Sequence, residues 1–229
     1  MDPKIFSTYD IRGIYPDQWD KKDAFLLGQA FGTFFQRNKV NTVFLGRDNR
    51  LSGPVISREV SEGLLKTGCR VIDLGTVIVP MIYFSWHHFD ANATLMITAS
   101  HNPPQYNGIK SSIRKKVIFA NQLQGIKKIT LKKDFLKEAG KKDKKDIVTP
   151  YIQLLKEKVH LQKPLKIIID TGNGTTGLFA AKIFKNAGCQ VTSLFAESDG
   201  SFPNHQPYPQ KPEFYQELKN QLQNNQYDL

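Results

Sequence analysis

Residues 40–98 read VNTVFLGRDNRLSGPVISREVSEGLLKTGCRVIDLGTVIVPMIYFSWHHFDANATLMIT, and this stretch decides the fold class. Val40 to Leu45 is a short apolar, β-branched run that reads as a buried strand. Ser52-Gly53-Pro54 then opens a helix with proline in its first turn, and that helix runs to about Lys66 and stops near Gly68. Arg70 to Leu74 is a second strand, closed by Gly75. Pro80 to Phe89 reads as an aromatic helix, and Ala93 to Thr98 as a third strand. Strand and helix in alternation predict an α/β layer fold with a mixed, mainly parallel sheet flanked by helices.

Working outward, a polar loop over 99–107 leads to strands at 108–113 and 116–119 and a helix over 121–138. Residues 140–146 carry almost no apolar content and read as a charged breaker. A domain boundary is expected around Asp146–Pro150, followed by a connecting helix to about His160. The same grammar then restarts. A strand spans Leu165–Ile169, a Gly-rich turn 170–177, and a helix reaches Ala187. A strand follows at Gln190–Phe195, a loop at 198–212 and a helix at Glu213–Asn225. The final Tyr227-Asp228-Leu229 looks like the opening of another strand. The expected organisation is a first α/β domain over 1–148, a connecting helix over 149–163 and a second α/β domain over 164–229, incomplete at its end.

Composition narrows the function classes. The 229 residues are 40% apolar and 23% charged, enough to bury a core without metal or disulfide staples. No apolar run is long enough to span a bilayer, and Met1-Asp2-Pro3-Lys4 lacks the layout of a signal peptide. Two cysteines far apart, Cys69 and Cys189, fit a reducing cytoplasm better than a disulfide scaffold. The net charge of +11 is concentrated in residues 110–145, which hold thirteen Lys/Arg against three Asp/Glu. With only Phe119 and Phe135 as rings, this segment argues against nucleic-acid stacking. It reads as a solvated face that also attracts anions.

Several constellations carry candidate chemistry. Thr98-Ala99-Ser100-His101-Asn102-Pro103-Pro104 follows a buried strand, where ligands of parallel sheets bind. Ser100 is either a nucleophile or phosphoryl carrier beside His101, or part of a polar turn braked by proline. Lys110 is a point charge for phosphate or an exposed turn residue. Arg12, in Tyr9-Asp10-Ile11-Arg12-Gly13, either clamps phosphate or pairs with Asp10 to hold the N-terminal arm. Gly46-Arg47-Asp48-Asn49-Arg50-Leu51-Ser52-Gly53 lacks the Lys-Ser/Thr ending of a P-loop. Asp170-Thr171-Gly172-Asn173-Gly174-Thr175-Thr176-Gly177 is an anion-binding turn or a tight packing turn. No His, Cys or carboxylate spacing suits a metal.

Taken together, five segments resemble a known family: residues 6–13, Gly46-Arg47-Asp48, residues 98–110 with Tyr106-Asn107-Gly108-Ile109-Lys110, Asp170-Thr171-Gly172-Asn173-Gly174, and Asp199-Gly200-Ser201-Phe202-Pro203-Asn204-His205. In that order they look like the N-terminal half of an α-D-phosphohexomutase of the phosphomannomutase/phosphoglucomutase subgroup. The resemblance implies reversible movement of phosphate between the 1- and 6-hydroxyls of a hexose, through a phosphoserine and a bisphosphorylated sugar. It implies Ser100 as the phosphorylated residue, with His101, Lys110 and Arg12 in proton transfer and charge stabilisation, and Tyr9 and Asn102 shaping the substrate pocket. It further implies Mg²⁺ held in part by the Ser100 phosphate, a hexose 1,6-bisphosphate activator and a cytoplasmic location. The family's Asp-Gly-Asp-Gly-Asp-Arg metal loop and its third and fourth domains are absent from these 229 residues. Negligible turnover is therefore expected of these residues alone. The alternatives are a complementary C-terminal chain, or a phosphosugar- or partner-binding remnant of the fold. One departure stands in the second half, where Tyr208-Pro209-Gln210 replaces the family's more usual Asp-Pro-Gly.

Overall fold

A computed structural model describes residues 1–208 and 210–229; Pro209, within the loop expected over 198–212 and within the family departure just noted, lies outside the described residues. The chain divides into two compact units. The first is Met1–Ala99 with Gln105–Ile147, and the second is Ser100–Pro104 with Val148–Leu229.

In the first unit the elements run β1 (Ile11–Ile14), α1 (Lys21–Arg37), β2 (Thr42–Arg47), α2 (Gly53–Leu65), β3 (Arg70–Thr76) and α3 (Val79–His88). They continue with β4 (Ala93–Ile97), β5 (Tyr106–Ile113), β6 (Lys116–Val117), α4 (Asn121–Lys132) and β7 (Lys141–Lys144). The sheet order is β1-β5-β4-β2-β3-β7, with β6 on β5. Pairings β2/β3, β2/β4 and β3/β7 are parallel, whereas β1/β5, β4/β5 and β5/β6 are antiparallel. The sheet is thus mixed, as the alternation of strand and helix implies.

The sequence reading assigns no element before residue 40, and so passes over both β1 and the longest helix of the chain. Helix α1 starts at a reciprocal cap. The Asp20 carboxylate accepts from Lys22 N and Asp23 N at 2.8 and 3.0 Å, and Asp23 accepts from Asp20 N at 3.1 Å. Ala24, Leu27, Ala30, Phe31 and Phe35 recur at helical spacing and are all buried. They join Val43, Leu45, Val71, Leu95 and Ile97 of the strands and Leu123 and Ile126 of α4 in one core. Strand residues alternate faces, so Phe44 lies outside that cluster and stacks on Phe89 with ring centroids 5.8 Å apart.

Two expectations are corrected. Residues 141–144 are not a breaker but the edge strand β7, in parallel register Arg70↔Lys141 to Asp73↔Lys144. This wholly charged edge strand shows no apolar pattern, because its backbone ladder and cross-strand pairs hold it. Arg70 Nε meets Asp143 at 2.6 Å and Lys142 Nζ meets Asp73 at 3.3 Å. Helix α4 ends at Lys132, six residues before the expected Glu138. Lys133 turns left-handed at φ 51° and sends Phe135 back against the core.

Both cysteines are free. Burial pushes the Cys69 thiol up to about 11, while its Sγ lies 3.8 Å from Gly32 O and 3.7 Å from Thr67 Oγ1. The folded value lies above the ordinary 9.0, so the thiol contributes stability below about pH 9 that is lost as pH rises towards 11. At pH 8 in the native state, a thiol reagent is expected to titrate the half-buried Cys189 promptly and Cys69 only on unfolding. Rapid titration of both would contradict the burial.

In the second unit, α5 (Val148–Lys158), β8 (Lys166–Asp170), α6 (Ala180–Asn186), β9 (Gln190–Leu194) and α7 (Gln216–Asn224) follow, and β8 and β9 pair in parallel. The 3₁₀ turn Thr175–Leu178 stands between the Gly-rich turn and α6. Along the edge of β8 opposite β9, Asp228 N donates to Lys166 O at 2.7 Å and Ile168 N to Leu229 O at 3.0 Å. The last residues therefore bond to the sheet as a strand opening does, without forming an assigned strand. No helix of the described residues is long and apolar enough to cross a membrane.

Candidate active site

The candidate residues divide between the units: Tyr9, Arg12 and Lys110 in the first, Ser100, His101 and Asn102 in the second.

Ser100 comes three residues after β4, at the end of a strand whose five residues are all buried. It is exposed and takes a left-handed backbone at φ 58°. That conformation costs a serine on the order of 1 kcal/mol and turns its side chain out of the strand line. Its Oγ lies 3.3 Å from Nδ1 of the exposed His101. The His101 ring meets Tyr208 with centroids 5.2 Å apart. Asn102 is half-buried in the same turn.

In the first unit the organising group is Asp10, which sequence reasoning noted only as a partner of Arg12. Its buried carboxylate receives Arg12 Nη2 at 2.5 Å, Lys110 Nζ at 3.5 Å and Ser7 Oγ at 2.9 Å. Register explains the convergence: β1 and β5 are antiparallel with Ile11 opposite Ile109, so Asp10 and Lys110 follow at the next step. The Asp10–Arg12 ion pair exists, and it also groups Arg12 with Lys110. Tyr9 is exposed and lines, with Lys110, a small cavity of about 90 Å³. Gly108 lies between strands on both sides; a Cβ there would run into Ile11 O and stand 3.0 Å from Thr98 O. Asp10→Asn removes the charge while keeping the shape. Because Arg12 and Lys110 are partly solvated, the unfolding free energy is expected to fall by only about 1 kcal/mol in urea titration. A loss above about 3 kcal/mol would mean that the cluster behaves as a buried charge network.

The loop after β2 is a structural turn built on buried charge. Arg50 is wholly buried and Asp48 nearly so. Burial raises the Asp48 carboxyl above the usual carboxylate range against the opposing Thr98 hydrogen bond and Arg50 charge. Burial likewise lowers Arg50, against the Asp48 charge.

In the second unit the Gly-rich turn packs against the loop that follows β9. Asp170 Oδ1 accepts from Gly172 N at 2.8 Å, and both carboxylate oxygens stand 3.1 Å from His205 Nε2. Gly172 has φ 51°, and a Cβ there would lie 2.7 Å from the His205 ring. Asn204 Nδ2 donates to Asn173 Oδ1 at 2.8 Å. Two distant motifs are thus stapled to each other, with His205 flanked by Phe195 and Phe214. Among the described residues no group of three His, Cys, Asp or Glu could hold a metal ion.

A mixed α/β unit with a Ser-His turn after a buried strand, followed by a second α/β unit, defines the class. Residues 3–137 match phosphoglucomutase/phosphomannomutase alpha/beta/alpha domain I, and residues 149–229 match domain II of the same family. The chain belongs to the phosphoglucomutase/phosphomannomutase family. A phosphomannomutase/phosphoglucomutase of Pseudomonas aeruginosa is 36% identical over 214 residues, 93% of this chain and 46% of that protein. A phosphoglucomutase of Neisseria meningitidis serogroup B is 37% identical over 228 residues, 98% of this chain and 49% of that protein. The crystal structure of a phosphoglucomutase/phosphomannomutase family protein from Burkholderia thailandensis superposes with a TM-score of 0.95 at 34% identity, over 99% of this chain and 51% of that one. The chain spans about half the length of the curated relatives it matches.

Proposed function

We propose that the protein is a phosphohexomutase that interconverts hexose 1-phosphate and hexose 6-phosphate, with Ser100 as its phosphoryl carrier. The single observation that carries this reading is Ser100 itself: an exposed serine hydroxyl, set in a left-handed turn after a buried strand and 3.3 Å from His101, in a chain matched by both family domains. In the forward step the bond from phosphorus to Ser100 Oγ breaks, and a bond from phosphorus to a sugar hydroxyl oxygen forms. The hydroxyl proton passes to His101 as base, which hands a proton back to Ser100 Oγ. The bisphosphorylated sugar then turns and returns its other phosphate to Ser100. Phosphoryl transfer asks the protein mainly for positioning and positive charge. Arg12 and Lys110, gathered on Asp10 in the first unit, are the cations suited to that charge, and Tyr9 and Asn102 are the proposed substrate-contacting residues. Residues 1–148 and 164–229 are assigned as the family's first and second domains, joined by 149–163. Phosphorylated hexoses and two free thiols accord with the cytoplasm.

A family Mg²⁺ would find one ligand in these residues, the phosphate on Ser100. The described residues add no carboxylate cluster to complete its shell.

The test is a coupled assay on the full-length protein with hexose 1-phosphate and hexose 1,6-bisphosphate, alongside mass mapping of the peptide that holds Ser100. Turnover with phosphate on Ser100 supports the reading; a bare Ser100 without turnover overturns it. These 229 residues by themselves are expected to show negligible turnover. They span about half the length of the curated relatives they match. Normal turnover by these residues would defeat this expectation, and phosphosugar binding without turnover would favour the binding-module reading.

A further inference from the structure

We infer that Arg50 is a positioning residue: with Asp48 it clamps the two stems of the Ser100 turn, on the mutase reading above. The stems are the residues just before and just after that turn, and both belong to the first unit. On the incoming side, Asp48 N donates to Ile97 O at 2.9 Å, one residue past the β2/β4 register, and the Asp48 carboxylate is hydrogen-bonded by Thr98. On the returning side, Arg50 Nη1 donates to Tyr106 O at 3.0 Å, and Asn107 Nδ2 donates to Ser52 Oγ at 2.8 Å. Asp48 and Arg50 close on each other, Nε to Oδ2 at 3.3 Å and Arg50 N to Oδ1 at 3.0 Å. Thr98 N donates to Gly108 O at 3.0 Å and ties one stem to the other. Three residues of one loop, Asp48, Arg50 and Ser52, thus fix both points from which the turn departs and to which it returns.

The chemistry explains why an arginine stands there. Its side chain is 0% exposed, so a charge has been taken fully out of water. Such a group is retained where its fork bridges two acceptors that a single-point donor cannot reach together. Here the fork donates to a backbone carbonyl on one stem and faces, at ion-pair distance, the carboxylate that holds the other. A serine that both gives and takes phosphate must return to the same place twice in each cycle. A misplacement of about 1 Å can cost on the order of 10²-fold in rate.

The experiment compares Arg50→Lys with wild type in the full-length protein, by hydrogen exchange and by steady-state kinetics. Lysine keeps the charge and loses the fork. Exchange at Thr98 and Gly108 is expected to accelerate at least about tenfold, and kcat to fall about 10–100-fold with KM for hexose 1-phosphate within about threefold. Leu64→Ala, a core change in α2 remote from the turn, controls for lost stability and should leave kcat near wild type while folded. If Arg50→Lys does not fold, Ser52→Ala removes one returning-stem bond and should raise exchange at Gly108 with a smaller kcat loss. Unchanged exchange and kcat in a folded Arg50→Lys overturn the clamp, as does a kcat loss matched by Leu64→Ala. If wild type itself turns over no hexose phosphate, the mutase reading fails, and the exchange data alone decide the clamp.

Discussion

Ser100→Gly in the full-length protein is expected to remove mutase turnover by roughly 10³-fold or more, the scale of losing a covalent nucleophile. The same change is expected to leave the fold intact. Ser100 is exposed and held at φ 58°, a conformation that glycine adopts without the steric cost of a Cβ. The gain from relieving that strain, on the order of 1 kcal/mol, is offset in part by the greater freedom of glycine in the unfolded chain. Thermal melting should therefore stay within about 1 kcal/mol of wild type while the coupled assay falls to background. Retention of a tenth of the activity would mean that phosphate is carried elsewhere. A melting transition lost together with the activity would mean that the serine is structural.

Phe31→Ala is expected to be among the most damaging core substitutions, at about 3–5 kcal/mol. Phe31 is wholly buried on α1, with its ring centroid 6.0 Å from that of Phe35, and it belongs to the cluster that joins α1 to the sheet. Truncation leaves a cavity that two neighbouring helices cannot close. Where the Cβ of a side chain would stand at Gly63 it would run into Phe25 O, so α1 and α2 already touch backbone to backbone. Against a total stability of roughly 5–15 kcal/mol, such a loss lowers Tm by roughly 6–20 °C. Urea titration of Phe31→Ala beside Leu51→Ala separates core from surface, since Leu51 is 70% exposed and should change stability by less than about 0.5 kcal/mol. A loss below 1 kcal/mol for Phe31 would show that α1 is not anchored as described.

The elements legible in the sequence were those with strong local signals. The runs before Gly46 and Gly75, the proline at the start of α2 and Gly188 after α6 each mark a boundary that the structure places within a few residues. Helix α1 is clear in hindsight, for its capping aspartates and its apolar spacing stand in the sequence. Strand β7 is not: Lys141 to Lys144 carry no periodicity, and only pairing with β3 makes them a strand. The candidate site shows the same division. Ser100, His101 and Lys110 stand in motifs that single them out by residue type. Asp10 and Arg50 gain their importance only through partners: for Asp10, Lys110 a hundred residues away, and for Arg50, Tyr106 fifty-six residues away.

By itself, then, the sequence determined the class of fold, the family and the serine on which the proposed chemistry rests, because periodicity, turn chemistry and short motifs are local. Only the tertiary structure decided which cations share a carboxylate, which arginine leaves water to hold a turn, and which charged stretch becomes a strand. Those outcomes depend on register and burial, and both are properties of segments meeting across the chain rather than of any segment alone.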